Sequence, residues 1–207
     1  KSSKQNIVLP TRLSVSTLLY LANDPQELAL RLRRPMPNHI DKYARRGTEF
    51  HLWLENHFKH PSLISMDDLF NQNNSRTSSD VALDKLQTAW LASDWAKKEP
   101  VGIEVGFETM VGNILIRGRI DAIYQIDKDH FEVVDWKTGK VKDGDDLATA
   151  AIQLAMYRLA YSKLKNVPIE KISAAFHYVA DNQTVRPADI LDEQALITLI
   201  SKVPIEI

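Results

Sequence analysis

The chain has 207 residues, and its 26 Lys and Arg nearly balance 27 Asp and Glu, for a formal net charge of −1. This balance argues against a basic coat that would bind nucleic acid everywhere, but it leaves room for a local basic patch. Cysteine is absent, which excludes disulfides, cysteine zinc sites and Fe–S clusters. No apolar run approaches the ~18 residues of a membrane helix, and no signal-peptide pattern opens the chain. We therefore expect an intracellular protein with no membrane partner.

The first hundred residues carry mainly helical patterns. Apolar spacing and capping residues predict, in chain order, an extended lead-in over residues 1–10, a short helix that Ser14 or Ser16 caps and that ends near Ala22, and helices over about 24–34, 41–58 and 80–98. Residues 71–80, NQNNSRTSSD, are polar and of low complexity, which predicts an exposed loop.

From Val101 onward the apolar period changes from helical to alternating. It predicts an antiparallel meander of strands over 102–110, 113–126 and 131–137, then a helix over about 147–164, a strand over 172–179, its hairpin partner over 183–187 and a final helix from near Asp192. This order indicates an α+β (mixed α/β) fold in which helices flank a central sheet. We divide the chain into a helical part, 1–100, and a core, 101–207. Because it begins with Lys, we expect one domain excised from a longer protein.

The third predicted strand, FEVVDWK, ends in two opposite charges. Asp135 and Lys137 lie on one face, whereas Trp136 points to the other face and is a candidate core residue. Pairing with the preceding strand brings Asp121 opposite Asp135 to within about one residue. Two facing carboxylates repel unless a cation such as Mg²⁺ or Mn²⁺ binds them. Lys137 can then hold a water or a phosphate oxygen, as in a metal-dependent site that cleaves phosphodiesters.

Simple alternation divides the preceding strand into two faces. One face is predicted to carry Ile114, Ile116, Gly118, Ile120, Ala122 and Tyr124, and the other Arg117, Arg119 and Asp121. A second interpretation of the charges stays open, because the tripeptide D-x-K is short and common. In that interpretation, Asp121, Asp135 and Lys137 form ordinary cross-strand ion pairs on an exposed sheet face.

Four segments in chain order carry a family resemblance. They are LSVSTLLYL at residues 13–21, RRGTEFH at 45–51, GRIDAI at 118–123 with VVDWKTG at 133–139, and AIQLAMY at 151–157. These segments resemble the motifs of the PD-(D/E)xK nucleases, and more narrowly those of the RecB-like nuclease domains at the C-termini of UvrD-type and AddAB-type helicases. The resemblance implies a restriction-endonuclease-like core and a Mg²⁺- or Mn²⁺-dependent deoxyribonuclease, more specifically an exonuclease. It also implies a helicase–nuclease that acts in DNA repair or recombination in the bacterial cytoplasm, at the nucleoid.

The same resemblance implies roles for individual residues. The implied metal ligands are three side chains and one backbone carbonyl, those of His51, Asp121, Asp135 and Trp136. Lys137 is implied to orient the attacking water and to stabilise charge on the phosphate. Gln153 and Tyr157 are implied to support the site or to touch DNA, although their i, i+4 spacing also suits a polar helix edge.

Two candidate residues of the implied site, one of them the implied ligand His51 and the other Glu104, have ordinary explanations as well. A lone His51 on a helix is more often a surface or capping residue. Gly47, however, lies one turn earlier, where a missing side chain leaves room for a ligand at a cost of ~1 kcal/mol relative to Ala. Glu104, on the first strand, is a weaker candidate for the metal site, and surface charge is its simpler explanation.

The implied substrate is a single strand of DNA that a helicase delivers. Candidate phosphate contacts are the basic residues near the motifs, although such clusters are more often solvated surface: Arg45, Arg46, Arg117, Arg119, Lys140 and Lys142. The chain contains no G-x-x-x-x-G-K-[ST] loop. We therefore expect the helicase motor domains elsewhere in the polypeptide or complex.

The sequence departs from the pattern of the RecB-like family at one point. Many RecB-like and AddAB-type domains bind an Fe–S cluster through cysteines, whereas this chain has none. Two other functions stay open: an inactive nuclease-fold domain that binds DNA or a partner, and a stand-alone exonuclease or structure-specific resolvase. Inactive relatives typically lose the metal ligands, and their retention here favours activity.

Overall fold

The structure is a computed structural model that describes residues 10–33, 42–59 and 78–201. None of its described helices combines the length and hydropathy that a membrane span needs. In chain order the elements are β1 (Arg12–Ser14), α1 (Val15–Asn23), α2 (Pro25–Arg33), α3 (Lys42–Lys59), α4 (Ser78–Leu91), β2 (Gly102–Val111), β3 (Ile114–Asp127), β4 (His130–Lys137), α5 (Gly144–Lys165), a 3₁₀ turn (Ile169–Lys171), β5 (Ile172–Tyr178), β6 (Gln183–Val185) and α6 (Glu193–Ser201).

The strands form a mixed sheet with helices on both faces. β2, β3 and β4 pair antiparallel in chain order, β4 and β5 pair parallel, and β6 pairs antiparallel with β5. The parallel pair requires a long crossover connection, which α5 supplies. The α+β prediction and the three-strand meander are confirmed.

The edges of β3 are used differently. β2 pairs along one whole edge, from Ile123 to Ile114. The other edge is shared, because β1 runs parallel to residues 115–117 whereas β4 pairs with residues from Ala122 onward. Between these two partners lies the segment 118–121, which carries Asp121. Strand β1 was not predicted, because its three residues are too few to show a period.

Two apolar clusters lie on opposite faces of the sheet. The larger cluster packs α1, α5 and α6 against one face, and the smaller, rich in tryptophan, packs α3 and α4 against the other. Ile120 and Ile123 belong to the first cluster, whereas Ala122 and Tyr124 belong to the second. The alternation therefore reverses at Asp121. The prediction that Ala122 and Tyr124 share a face with Ile120 is wrong.

Helix α4 ends at Leu91, before the predicted end near residue 98. Trp90 and Trp95 are both buried in the second cluster. Five residues along a helix turn the side chain by about 140°, so one helix cannot direct both rings to the same core. The chain leaves the helix, and the Trp95 indole N–H then reaches Thr184 Oγ1 at 3.0 Å.

The segment 71–80 was predicted to be an exposed loop. Residues 78–80 instead form the start of α4, so that part of the prediction is wrong. Residues 71–77 lie outside the described part of the chain. At the N-terminus, Ser14 is the helix cap among the two candidates, since its side chain accepts a hydrogen bond from the Thr17 amide.

Candidate active site

Three side chains of the types that can bind a metal come from different elements and meet at the point where the β3 alternation reverses. His51 comes from α3, Glu104 from β2 and Asp121 from β3. One ligand atom from each lies within 4.8 Å of the others. We call these three residues the acid–histidine cluster.

The backbone of Trp136 is held between two members of this cluster. Its amide donates to Asp121 Oδ2 at 2.9 Å, and its carbonyl oxygen lies 3.1 Å from His51 Nε2. His51 Nδ1 lies 3.2 Å from Glu104 Oε1 and 3.7 Å from Asp121 Oδ2. The ring therefore bridges the end of β4 to the carboxylates of β2 and β3. The Trp136 side chain is buried in the second apolar cluster, in agreement with its prediction as a core residue.

Glu104 adopts a backbone conformation that is unusual for its position in a strand. Its φ is +50°, in the left-handed region that few residues other than glycine occupy. Its side chain is only 10% exposed and points into the cluster. The interpretation of Glu104 as surface charge is therefore wrong. A signal for it existed: the predicted turn at Gly112-Asn113 implies a register in which Glu104 lies opposite Asp121, and the observed pairs on either side follow that register.

A second polar group lies next to the acid–histidine cluster. Asp135 Oδ2 lies 2.6 Å from Lys137 Nζ, and the Asp135 side chain is only 3% exposed. Lys137 Nζ donates to Gln153 Oε1 at 2.8 Å, and Gln153 Nε2 donates to the Tyr157 hydroxyl at 2.8 Å. The four residues therefore form one connected chain from β4 to α5. Its burial argues against the alternative of ordinary ion pairs on an exposed sheet face.

The register between β3 and β4 places the two aspartates as predicted. The ladder ends at the pair Ala122–Val134, so Asp121 and Asp135 directly follow its last pair, within the one residue that the sequence predicted. Asp135 is nonetheless not one of the three residues whose ligand atoms cluster within 4.8 Å. Asp135 is instead paired with Lys137 at 2.6 Å, and its charge acts on Asp121 of the cluster.

The proximity of these charges shifts the pKa of two cluster members. Burial and the charge of Asp135 raise the pKa of Asp121 to about 8, against the opposing effects of His51 and the Trp136 amide. Burial alone would lower the pKa of His51. The hydrogen bond that the protonated ring donates to Glu104 and the charges of Asp121 and Asp135 outweigh burial and raise the pKa of His51 to about 9. The metal-free cluster therefore retains protons at neutral pH.

These protons must leave before a metal can bind, so we expect Mn²⁺ affinity to rise as the pH increases from about 6 to about 8.5. The pKa of Asp121, raised to about 8, lies within this range, and that of His51, raised to about 9, lies just above it, so both groups lose protons increasingly as the pH rises. Calorimetric titration with Mn²⁺ in buffers of different ionisation enthalpy measures both the affinity and the protons released. Mn²⁺ binding to the His51→Gln variant should release fewer protons than Mn²⁺ binding to the wild type. An affinity that is constant over this range would contradict the prediction.

Gly47 lies one helical turn before His51 and approaches the end of β4. A Cβ at this position would lie 3.4 Å from Thr138 Oγ1. The glycine also lines a cavity of about 470 Å³ together with His51, Glu104 and Arg119. A distance of 3.4 Å is an ordinary van der Waals contact, so packing on Thr138 does not require the glycine, and the room for a ligand stays a prediction.

Some of the predicted basic residues lie beside the cluster. Arg119 is 61% exposed, with its Nη1 3.5 Å from Glu104 Oε2. Arg46 and Lys140 line a cavity of about 380 Å³ that extends from the turn after β4. Lys142 lines another cavity together with Lys137.

Two other predicted basic residues lie away from these cavities. Arg45 is 75% exposed and pairs with Glu49 on the same helix at 2.8 Å. Arg117 is exposed and lies opposite Glu108 of β2. The structure therefore brings Arg119 and Lys142 to cavities that site residues also line, places Arg46 and Lys140 at the cavity beside the turn after β4, and leaves Arg45 and Arg117 outside all three.

The arrangement of strands and helices is shared with solved structures. A crystal structure of a Eubacterium rectale protein, named as a candidate exonuclease, matches with a TM-score of 0.61 at 13% identity, over 94% of this chain and 79% of that chain. This similarity shows the fold. The crystal structure of SSO0001 has 19% identity, covers 95% of this chain and 77% of its own, and carries no weight at a TM-score of 0.45. No curated protein matches significantly in sequence.

Fold and site together define a restriction-endonuclease-like nuclease domain. The family model described as "PD-(D/E)XK nuclease superfamily" matches residues 12–203. The chain belongs to this superfamily, whose members are hydrolytic nucleases that use divalent metals. The resemblance to the PD-(D/E)xK nucleases is thus confirmed.

Proposed function

We propose that this chain is a Mg²⁺- or Mn²⁺-dependent deoxyribonuclease, more specifically an exonuclease, that cuts single-stranded DNA. The observation that carries the proposal is the acid–histidine cluster beside the buried Asp135–Lys137 pair. One nitrogen and several carboxylate oxygens form a donor set that Mg²⁺ and Mn²⁺ accept. A divalent cation would also remove the repulsion between carboxylates that raises the pKa of Asp121.

The residues that would hold the metal are His51, Glu104, Asp121 and Asp135, with the Trp136 carbonyl. When bound, the metal supplies a Lewis acid that activates water and neutralises charge on the phosphate. Glu104 joins the ligands implied by the family resemblance because its oxygen lies in the cluster.

Lys137 acts in this proposal as a permanent cation. Burial alone would lower its pKa, but the charge and hydrogen bond of Asp135 outweigh burial and raise it. The ammonium group has three N–H donors. Two are directed to Asp135 and Gln153, and the third is available for a water or a phosphate oxygen. Lys137 therefore stabilises negative charge and orients the nucleophile, and it does not remove a proton.

Gln153 and Tyr157 are proposed to hold Lys137 in place. The Gln153 amide accepts from Lys137 and donates to Tyr157, which fixes the position of the ammonium group. Tyr157 is only 4% exposed, so its burial favours this supporting role over contact with DNA. The DNA backbone would instead contact the predicted basic residues, which are the half-buried Arg46 and the exposed Arg45, Arg117, Arg119, Lys140 and Lys142.

The wider assignment rests on the RecB-like motifs. We propose a nuclease that works with helicase motor domains, in the same polypeptide or complex, during DNA repair or recombination in the bacterial cytoplasm. The division of the chain at about residue 100 remains part of this proposal. The sheet crosses that boundary, because β1 pairs with β3.

The test is cleavage of an end-labelled single-stranded oligodeoxynucleotide by the 207-residue chain. We expect products with Mg²⁺ or Mn²⁺, none in EDTA, and slower cutting of a blunt duplex or of RNA. Asp135→Asn, purified in the same way, controls for contaminating nucleases. Equal cutting by this variant, or no cutting by the wild type in either metal, would reject the proposal. No cutting by a chain that still binds DNA would support the inactive scaffold instead.

A further inference from the structure

A second cavity opens on the other side of the site, next to Lys137. It measures about 380 Å³ and lies between α1 and α5. Its lining includes Tyr20 and Asn23 from α1, Lys142, Thr149, and the connected side chains of Lys137 and Gln153. It shares no lining residue with the cavity of about 470 Å³ beside His51. The polar chain of Lys137 and Gln153 is therefore approached from a side that the metal cluster does not use.

The cavity combines an aromatic surface with hydrogen-bonding groups. Tyr20 is 42% exposed at its rim, so its side chain is accessible to a ligand. The amide of Asn23 and the hydroxyl of Thr149 supply donors and acceptors, Lys142 supplies a positive charge, and Asp146 supplies a carboxylate that can accept from a base edge. A nucleotide has the matching parts: a planar apolar base, a polar base edge and an anionic phosphate. The volume lies near the lower end of the range for small-molecule sites, which suits one nucleotide.

We propose that this cavity binds the nucleotide that flanks the scissile phosphate, with its base stacked on Tyr20. This inference rests on the proposed nuclease function. Lys137 contacts the cavity and also the buried Asp135, so a nucleotide bound here would present its phosphate towards the metal cluster. A base inside a duplex is stacked and paired, and it cannot enter without unstacking at a cost in free energy. The cavity would thereby favour single-stranded substrate.

The test removes the base and the tyrosine ring separately. Oligodeoxynucleotides carry one abasic residue, placed in turn at each position on either side of the cleavage site, and kcat and KM are measured for each. Stacking of one base on one aromatic ring corresponds to about a 5- to 100-fold effect. For the wild type, we expect an abasic residue at one position to lower kcat/KM by this factor. The Tyr20→Ala substitution should lower kcat/KM on intact DNA by the same factor, and the abasic strand should lower it no further.

Two variants control the experiment. Tyr20→Phe keeps the ring and should behave like the wild type. Leu164→Ala removes another exposed apolar side chain, on the same helix as Gln153 but about 16 Å further along its axis. This variant should leave kcat/KM unchanged on both the intact and the abasic strand. An abasic effect that persists in full in Tyr20→Ala would overturn the proposed stacking.

Binding measurements separate this proposal from the nuclease proposal. Fluorescence anisotropy with intact and abasic oligodeoxynucleotides in Ca²⁺ needs no turnover. Tighter binding of the intact strand by the wild type, but not by Tyr20→Ala, would support the cavity even if no cutting is seen. Equal binding of both strands by both proteins would overturn it, whereas cutting by the wild type would still support the nuclease.

Discussion

Asp121→Asn is expected to abolish metal-dependent cleavage and Mn²⁺ binding together. Asp121 belongs to the cluster whose ligand atoms lie within 4.8 Å of one another, and asparagine replaces its carboxylate with a neutral amide. A bound metal contributes several kcal/mol to the stabilisation of the transition state, which corresponds to a rate loss of ~10³-fold or more. Single-turnover cleavage and calorimetric titration with Mn²⁺ measure the two effects on the same preparation.

The same substitution is not expected to unfold the protein. The asparagine carbonyl can still accept the hydrogen bond from the Trp136 amide that now reaches Asp121. The pKa of Asp121 is raised to about 8 from its ordinary 3.8, so the folded state binds the proton more tightly than the unfolded state. This contribution to stability is therefore present below pH 4 and is lost as the pH rises to about 8. Urea unfolding in EDTA should show Asp121→Asn at least as stable as the wild type at high pH.

Lys137→Gln is the matched counterpart to Asp121→Asn. Glutamine retains a hydrogen-bond donor for Asp135 but removes the positive charge that lies 2.6 Å from it. We expect Mn²⁺ binding to persist while the single-turnover rate falls about 10²- to 10³-fold, the usual cost of removing one transition-state donor. Full cleavage by Asp121→Asn, or loss of Mn²⁺ binding in Lys137→Gln with cleavage retained, would contradict the assigned roles.

Trp90→Ala is expected to lower the free energy of unfolding by about 3–5 kcal/mol, the usual range for a large buried aromatic residue. The side chain is fully buried. Its ring centroid lies 5.5 Å from that of Phe58, 5.8 Å from that of Trp53 and 6.0 Å from that of Trp136. These contacts join α3, which carries His51, to the strand that carries Asp135. We therefore expect weaker Mn²⁺ binding as well as lower stability.

The neighbouring residue supplies the control for this prediction. Leu91 belongs to the same helix but is 51% exposed, so Leu91→Ala should change stability by no more than about 0.5 kcal/mol. Urea denaturation in EDTA measures both variants. Saturating Mn²⁺ should restore part of the loss in Trp90→Ala, since a ligand that binds only the folded state stabilises it. A loss in Trp90→Ala no larger than that of Leu91→Ala would contradict the role of the tryptophan cluster.

The meander was predictable because its connections are short. Gly112, with a φ of +58°, and the turn at 128–129 leave little choice of register between neighbouring strands. Counting outward from the turn at 128–129 placed Asp121 within one residue of Asp135, and a register shift between Gln125 and Asp127 accounts for that one residue. Counting outward from the other turn, at Gly112-Asn113, places Glu104 opposite Asp121. The sequence nonetheless favoured surface charge for Glu104, because one acidic residue in a strand does not reveal whether a helix will cover it.

Other features depended on contacts between distant segments. The early end of α4 results from the burial of both Trp90 and Trp95 against the sheet. β1 exists because β4 leaves part of the β3 edge open. The reversal of alternation at Asp121 coincides with the unusual backbone of Glu104 on the neighbouring strand. None of these contacts has a local signal in the residues concerned.

The sequence by itself determined the family resemblance, the meander and the pairing of Asp135 with Lys137, because motif order, alternation and turn length are local properties. Only the tertiary structure decided that Glu104 joins His51 and Asp121, that hydrogen bonds connect Lys137 to Gln153 and Gln153 to Tyr157, and that Tyr20 lies at the rim of a cavity beside Lys137. These side chains come from different strands and helices. The distances between them depend on how those elements pack, which no local pattern encodes.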